Sequence, residues 1–539
     1  MNLARALGSV GGLTLASRIL GLVRDSLFAR FVGASFASDA FLIAFRLPNM
    51  FRALFAEGAF SAAFIPMFNK KVSEDGGSLA AGLGFAQEVL SVLLPILIVL
   101  TIIMEIFAWP ITWALSGGFR DVSPDQFAYA VTLSRITLPY LLLISLVSLL
   151  GGILNSMQKF WVNAAAPILL NLTLIAALLW FHTTNPLETA RNQAIGVTVA
   201  GMLQLLWLWI ACVRNGVNLR PRLPRLTPEV KRPLALIGPA AAGAGAVQIN
   251  LVVSTALAAS LLTAGSVSYI YYADRLNQLP LGLIGIALGT VLLPTISRQL
   301  GAGDDAAAMD TQNRGMELAL FFTLPATMAL IVCGVPIAAA LFQYGKFTPG
   351  DTLATAQALA AFSIGLPAYI LIKVLTPGYY ARADTSTPVR YATISIGINL
   401  ILNLALIGPL KHMGPPLATA IASLVNLALL YRTLAKRGHF VPDRQLRNRV
   451  WRLAAAALVM GAVMYFLNDR FAPYTLGTGV TRVLTMIVLV GTGGAVYGIA
   501  CFIMRAYRPS DLLAVVRRRA SPTPPPTTPP TTPPNTGNP

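Results

Sequence analysis

Residues 17–57 read SRILGLVRDSLFARFVGASFASDAFLIAFRLPNMFRALFAE, two apolar helical segments that carry eight charged side chains, five of them arginines. A charge at the centre of a bilayer costs about 2.5 kcal/mol or more. Membrane helices therefore keep such charges where these face a protein interior or a water-filled cavity. The stretch predicts a membrane protein with a basic internal cavity that suits an anionic cargo.

The composition of the whole chain is that of a membrane protein. Of its 539 residues, 55% are apolar and 11% are charged, whereas soluble domains carry about 25% charged residues. A helix needs about 20 apolar residues to cross the hydrocarbon core, which predicts an all-α polytopic membrane protein with about fourteen transmembrane helices. We expect the first, second and eighth spans to fall below a strict hydropathy threshold because of their charges. The predicted spans are 9–33, 37–68, 85–113, 127–155, 160–182, 193–214, 234–262, 266–298, 315–343, 354–380, 388–409, 415–436, 451–468 and 482–505.

The lysines and arginines outside these spans lie mainly in one set of loops. We count about 26 in that set and about 6 in the opposite set, and such a bias marks the cytoplasmic side. Both chain termini are therefore predicted to be cytoplasmic, and an even number of spans agrees because it places both termini on the same side. The net charge of +19 is then a topology signal next to anionic membrane lipids, and no nucleic-acid partner is expected.

An internal repeat relates the second predicted span to the eighth. The segment AFRLPNMFRALFAEGAFSAAFIPMF from Ala44 resembles ADRLNQLPLGLIGIALGTVLLPTIS from Ala273, and Arg46 aligns with Arg275. A repeat of six spans keeps both copies in the same orientation, so the two halves are expected to enclose a central site. The last two spans lie outside this repeat.

Arginine suits phosphate because its planar guanidinium donates two parallel hydrogen bonds and stays charged at working pH. In a straight helix Arg18 and Asp25 share a face, whereas Arg24 points about 120° away unless Gly21 bends the helix. The arginines outnumber the acids here, so ion pairing alone would leave positive charge unsatisfied. Structural ion pairs remain the alternative interpretation, and Lys373 is left open. The residues predicted to bind an anionic cargo are Arg18, Arg24, Arg52 and Arg275.

The sequence contains no P-loop, serine triad or metal-binding quartet. Cys212, Cys333 and Cys501 are isolated in or beside apolar runs, which is typical of small buried side chains. The sequence thus favours a transporter over an enzyme, and it predicts no cofactor and no resident metal.

Several longer segments resemble the MviN/MurJ family of lipid II flippases. The resemblance runs from Met1 to about Tyr507. The segments that carry it are SRILGLVRDSLFARFVG from Ser17, SDAFLIAFRLPNMFRALFAEGAFSAAFIPMF from Ser38, YYADRLNQLPLGLIGIALGTVLLP from Tyr271, LFQYGKFT from Leu341 and IGPLKHMGPPLA from Ile407.

The resemblance implies the fold of the MOP exporter superfamily, with two six-helix lobes and two further helices that form a groove for a lipid tail. The implied divisions are an N-terminal lobe at 1–215, a cytoplasmic linker at 216–232, a C-terminal lobe at 233–437, the tail groove at 438–508 and a disordered Pro/Thr-rich cytoplasmic tail at 509–539. The cavity arginines of the family match the four arginines named above. Other residues that match its motifs or flank them are Ser17, Asp25, Asp39, Glu57 and Asp274.

The activity that the resemblance implies is translocation of lipid II, an undecaprenyl-diphosphate-linked muropeptide, from the cytoplasmic to the periplasmic leaflet of a bacterial inner membrane. Such a protein works by alternating access in peptidoglycan biosynthesis, where cell-wall synthesis proteins are a further class of partner. The alternatives are an exporter of another lipid-linked polysaccharide or drug, and a scaffold that transports nothing. A cationic drug would favour an acidic cavity, which counts against the drug exporter.

The chain departs from family members that resemble sodium-coupled transporters. Where those carry acidic ligands, this chain has neutral side chains, so the sodium candidates are weak and a tight site is not expected. We therefore expect coupling to the membrane potential, because moving one charge across it is worth about 2.3 kcal/mol per 100 mV. The weak sodium candidates are Ser254, Asn399, Asn403 and Thr419.

Overall fold

The computed structural model describes residues 3–56, 59–74, 76, 78–220, 248–475, 477 and 479–506. Within those ranges the chain forms nineteen α-helices and no strand. A short 3-10 turn, Lys411–Met413, joins α16 to α17. The helices are α1 Leu3–Val32, α2 Phe36–Ala56, α3 Ala59–Glu74, α4 Leu79–Ile106, α5 Ala108–Ser116, α6 Pro124–Thr137, α7 Tyr140–Ser156, α8 Phe160–Trp180, α9 Pro186–Arg214, α10 Gln248–Leu261, α11 Ser266–Gly301, α12 Asp305–Val332, α13 Gly334–Phe342, α14 Pro349–Ile364, α15 Leu366–Tyr380, α16 Ser386–Leu410, α17 Gly414–Lys436, α18 Arg444–Thr475 and α19 Gly479–Ile503.

Each predicted span coincides with one helix or with two consecutive helices. Five spans cover two helices each: α2–α3, α4–α5, α6–α7, α12–α13 and α14–α15. At the last four junctions a proline (Pro110, Pro139, Pro336 or Pro367) lies at the start of the second helix, where a residue without an N–H group is tolerated. Part of the predicted seventh span, 234–247, lies outside the described residues, as do 221–232 of the linker and the tail from 507 onward.

The hydropathy expectation is confirmed. In the described chain, nine helical stretches are long and apolar enough to cross a membrane, and α10 is apolar but shorter. Neither α1, α2 nor α11 is among the nine, because charged and polar side chains interrupt their apolar runs. The chain is an all-α polytopic membrane protein, as predicted.

The helices pack in two groups. In the first, α1 contacts α8, α8 contacts α9, and α2 contacts both α6 and α7. In the second, α11 contacts α12, α14 and α15, and α17 contacts α14, α15 and α16. The α18–α19 pair packs on α12 and α13. The two groups meet where α2 contacts α11 and where α1 contacts α13.

The two groups are joined at one end of the bundle. We call this the outer end; α1 ends there at Val32, and α2 and α11 begin there. The opposite end is the inner end. At the outer end the Lys346 amide donates to the Arg30 carbonyl at 2.9 Å, and the Lys346 ammonium donates to the Thr184 carbonyl at 2.6 Å. By the lysine and arginine bias, the outer end is predicted to face away from the cytoplasm.

Candidate functional site

Three charged side chains from α1 and α11 form the centre of the site. The Asp25 carboxylate accepts hydrogen bonds from Arg24 Nε at 3.0 Å, Arg24 Nη2 at 2.6 Å and Arg275 Nε at 2.5 Å. Asp25 is 3% exposed and Arg24 is 8% exposed, whereas 31% of the Arg275 side chain is exposed. Two guanidinium groups share one carboxylate, so the cluster keeps one net positive charge at the contact between the helix groups.

Asn171 of α8 holds Arg24 in this cluster. Its amide oxygen accepts from Arg24 Nη1 at 3.2 Å, and its amide nitrogen donates to the Ser17 carbonyl at 2.9 Å. Sequence reasoning missed Asn171, although an asparagine inside an apolar span was a usable signal. It also placed Arg24 on a different helix face from Asp25. The long arginine side chain instead folds back to its neighbour, which ideal helix geometry does not describe.

Gly21 and Tyr271 complete the cluster. A β-carbon at Gly21 would lie 3.0 Å from Arg275 Nη2, so the glycine lets α11 bring its arginine against α1. The Tyr271 hydroxyl lies 3.2 Å from Asp25 Oδ1 and 3.2 Å from Arg24 Nη2. Arg24 and Arg275 thus pair with an acid, as the alternative interpretation predicted, and they outnumber it, as the cargo-binding interpretation requires.

An open pocket of about 300 Å³ lies beside this cluster, between α1, α11, α14, α15 and α17. Arg18 reaches into it from α1 and Lys373 from α15, and both side chains are exposed there. Asp274, at its wall, accepts a hydrogen bond from Gln278 Nε2 at 2.5 Å. We call it the side pocket; its lining is Arg18, Asp274, Asn277, Gln278, Leu281, Gly282, Phe362, Tyr369, Lys373 and Thr419.

The remaining site predictions fall at several places. Arg52 Nε donates to Asn49 Oδ1 at 3.0 Å on the same helix. Ser17 contacts Asn171 through its carbonyl and, at 3.4 Å, through its hydroxyl. Glu57 lies outside the described residues.

Asp39 lies at the outer end, away from the arginine cluster. Its carboxylate accepts from the backbone amides of Gly265 at 2.7 Å and Ser268 at 2.9 Å, and from the Ser268 hydroxyl at 2.5 Å. The side chain is 3% exposed. Asp39, which lies on α2, therefore caps the N-terminus of α11. Backbone N–H groups at a helix N-terminus lack partners within the helix, and a negative charge is favoured there. That Asp39 binds the cargo stays a prediction.

Two further contacts join α10 to the first helix group, one in the middle of α2 and one at the outer end. Arg46 Nη2 donates to the Leu251 carbonyl at 3.0 Å and to the Thr255 hydroxyl at 2.6 Å, which ties α2 to α10. Arg120 Nη1 donates to the Leu261 carbonyl at 2.9 Å. Arg46 thus makes its hydrogen bonds to neutral oxygens.

The weak sodium candidates form one hydrogen-bonded group. Asn403 Nδ2 donates to Ser254 Oγ at 3.1 Å and to Asn399 Oδ1 at 2.9 Å. Asn399 Nδ2 donates to Thr419 Oγ1 at 3.1 Å. The Ser254, Asn399 and Thr419 oxygens thus accept amide protons, whereas the buried Asn403 Oδ1 has no partner among the described residues. Among the described residues no group of three or more His, Cys, Asp or Glu side chains could hold a metal ion.

Comparison with known proteins places the chain in a family. The family model described as lipid II flippase MurJ matches residues 28–485. A probable lipid II flippase MurJ from Rhizobium tropici is 41% identical over 513 residues, which cover 94% of this chain and 95% of the relative.

Two solved structures are also similar. One is a lipid II flippase MurJ in an inward closed conformation, with a TM-score of 0.74, 28% identity, and coverage of 90% of this chain and 98% of that one. The other, a multidrug resistance MATE family transporter of the MOP superfamily, shares the fold at a TM-score of 0.59 and 14% identity, over 78% of this chain and 95% of that one. The chain therefore belongs to the lipid II flippase MurJ family.

Proposed function

We propose that this protein moves lipid II across a bacterial inner membrane, from the cytoplasmic to the periplasmic leaflet, by alternating access. The observation that carries the proposal is Arg18. Its guanidinium is exposed in an open pocket between membrane helices and, among the described residues, has no hydrogen bond or ion pair. An unpaired charge between membrane helices is tolerated where it faces a water-filled cavity, and an anionic headgroup that enters the pocket would pair with it.

The arginine cluster supports a diphosphate as the anion. The cluster keeps one net positive charge, and the Arg275 side chain remains accessible beside Asp25. Guanidinium groups bind phosphate oxygens through paired, charge-assisted hydrogen bonds. Arg24, Arg52 and Arg275 then bind the diphosphate, and Arg18 binds another anionic part of the same headgroup, while Ser17, Asp25 and Asp274 orient these arginines.

The closed outer end supports loading from the inner end. Asp39, Arg120 and Lys346 each bond across the two helix groups there. We take the groups as lobes at 1–215 and 233–437 that rock against each other, with both termini cytoplasmic. The α18–α19 pair, within 438–508, forms the groove for the polyprenyl tail, which stays in the lipid.

The neutral group around Asn403 supports a cycle without sodium. It contains no carboxylate, and its Ser254 and Asn399 oxygens accept amide hydrogen bonds from Asn403, whereas tight cation sites use charged oxygen ligands. An anionic headgroup moving outward is favoured by an inside-negative potential, at about 2.3 kcal/mol per charge per 100 mV. The membrane potential is thus the simplest driving force.

The test is complementation of bacteria depleted of their own lipid II flippase. Arg18→Ala and Arg275→Ala should fail to restore growth while reaching normal levels in the membrane. Arg191→Ala, in the exposed first turns of α9, is the matched control and should restore it. Normal growth with the cavity variants would favour a scaffold that transports nothing.

A further inference from the structure

The side pocket holds a second cation besides Arg18. Lys373 enters from α15, near enough to Arg18 for the two like charges to repel each other. In the part of the chain that the structure describes, neither side chain has a hydrogen bond or an ion pair with another residue. Two unpaired cations from the two helix groups therefore face the same space.

Two glycines of α11 make room for these cations. A β-carbon at Gly285 would lie 2.9 Å from Lys373 Nζ and 3.0 Å from its Cδ. A β-carbon at Gly282 would collide with the Arg18 guanidinium. A β-carbon at Gly289, one turn further along, would meet nothing within 4 Å. The absence of a side chain at Gly282 and Gly285 thus leaves the room that Arg18 and Lys373 occupy.

The pocket also offers hydrogen-bond acceptors that lack a donor. Asn277 is 2% exposed, and its side-chain oxygen is buried with no partner. The buried Tyr369 hydroxyl also has no partner. Asp274 adds a carboxylate that accepts from Gln278. Buried polar groups without partners are costly, so these atoms point to a ligand that brings N–H or ammonium donors as well as negative charge.

The side pocket and the arginine cluster lie at different depths. Asp25 contacts Arg275, whereas Arg18 lies against Gly282. Both pairs are offset by seven residues along antiparallel helices, which is about 10 Å at 1.5 Å per residue. One ligand with two anionic groups this far apart could occupy both places.

We infer that the side pocket binds the peptide part of the cargo's headgroup. A peptide carboxylate lies between Arg18 and Lys373, and a neighbouring N–H or ammonium group donates to Asp274 and Asn277. The inference rests on the proposed function, which assigns the diphosphate to the arginine cluster. A bare diphosphate fits the side pocket less well, because it brings no hydrogen-bond donor for the Asp274 carboxylate.

The test compares two ligands on the full-length protein in nanodiscs. One ligand is lipid II, and the other is the same undecaprenyl-diphosphate disaccharide without its peptide. Lys373→Gln should weaken lipid II binding about tenfold or more, as expected for a lost hydrogen bond to a charged group. The same substitution should leave binding of the peptide-free lipid unchanged. Lys373→Arg should restore lipid II binding.

The glycines give an independent check. Gly285→Ala displaces the Lys373 ammonium and should weaken lipid II binding in the same ligand-selective way, whereas Gly289→Ala should not. If Lys373→Gln weakens both ligands equally, the lysine serves the diphosphate and the inference is wrong. If it weakens neither, the inference is also wrong. If the unmodified protein binds neither lipid, the proposed function itself fails.

Discussion

Replacing Asp39 with asparagine should loosen the outer end. The carboxylate accepts three hydrogen bonds from Gly265 and Ser268 at the start of α11. Hydrogen bonds to a charged group contribute about 1.5–3 kcal/mol each, and a negative charge at a helix N-terminus adds about 0.3–1 kcal/mol. Asparagine keeps one acceptor oxygen and turns an amide group toward the donors of α11. We therefore expect the contact between the two helix groups at the outer end to lose about 2–4 kcal/mol of free energy. This corresponds to roughly a 30- to 900-fold shift of the equilibrium toward a state in which the groups are separated there.

The assay is a distance measurement by pulsed electron paramagnetic resonance on protein in nanodiscs. Spin labels at Asp125→Cys and Lys411→Cys, both exposed at the outer end on different helix groups, report the separation. The native cysteines Cys212, Cys333 and Cys501 are buried, so they should label poorly. Asp39→Asn should populate a longer distance than the unmodified chain.

Ser268→Ala is the matched control for this prediction. It removes one of the three hydrogen bonds and leaves the Asp39 charge in place, so its shift should be smaller. In the double variant the two effects should be less than additive, because both substitutions act on the same contact. An unchanged distance distribution for Asp39→Asn would refute the reasoning.

Three further predictions concern other parts of the chain. Asn171→Leu should weaken lipid II binding by about tenfold or more, because it removes the hydrogen bond to Arg24. Asn171→Asp keeps an acceptor and should weaken binding less. Equal loss for both variants in a ligand-binding assay would contradict the role of Asn171 in positioning Arg24. Glu317→Gln should lower the thermal unfolding midpoint. Buried Glu317 forms ion pairs with Arg314 and, at 2.8 Å, with Arg449, and breaking a buried ion pair costs about 3–5 kcal/mol. The exposed Glu188→Gln is the control, and equal midpoints for the two variants would count against this network. Replacing sodium with choline should leave transport in vesicles unchanged, whereas dissipating the membrane potential should stop it; a sodium requirement would overturn the argument from Asn403.

The sequence predicted the helical architecture well, because hydropathy acts locally. The span limits follow from apolar runs. The breaks near Pro110, Pro139, Pro336 and Pro367 were not predicted, although the missing N–H of proline explains why a second helix begins there. It also identified Arg18 and Arg275 as cations inside the membrane region, since a charge in an apolar run is visible without a structure.

The partners of these charges were harder to predict, because they come from distant helices. The Asn171 contact with Arg24 joins residues 147 positions apart, and Asp39 reaches α11 over 226 positions. Periodicity gives the face on which a side chain begins, and a long side chain such as Arg24 can leave that face. The role of Lys373 could not be predicted from the sequence, where it is an isolated charge. In the structure it lies against Gly285 and lines the same pocket as Arg18.

The most direct measurement of the central claim is lipid II translocation by purified protein in sealed vesicles under an imposed potential. Fluorescent lipid II that reaches the opposite leaflet becomes accessible to a reagent that cannot cross the membrane. The unmodified chain and Arg191→Ala should translocate lipid II, and Arg18→Ala should not. Equal translocation by Arg18→Ala at matched protein density would contradict the claim that the intramembrane arginines receive the headgroup.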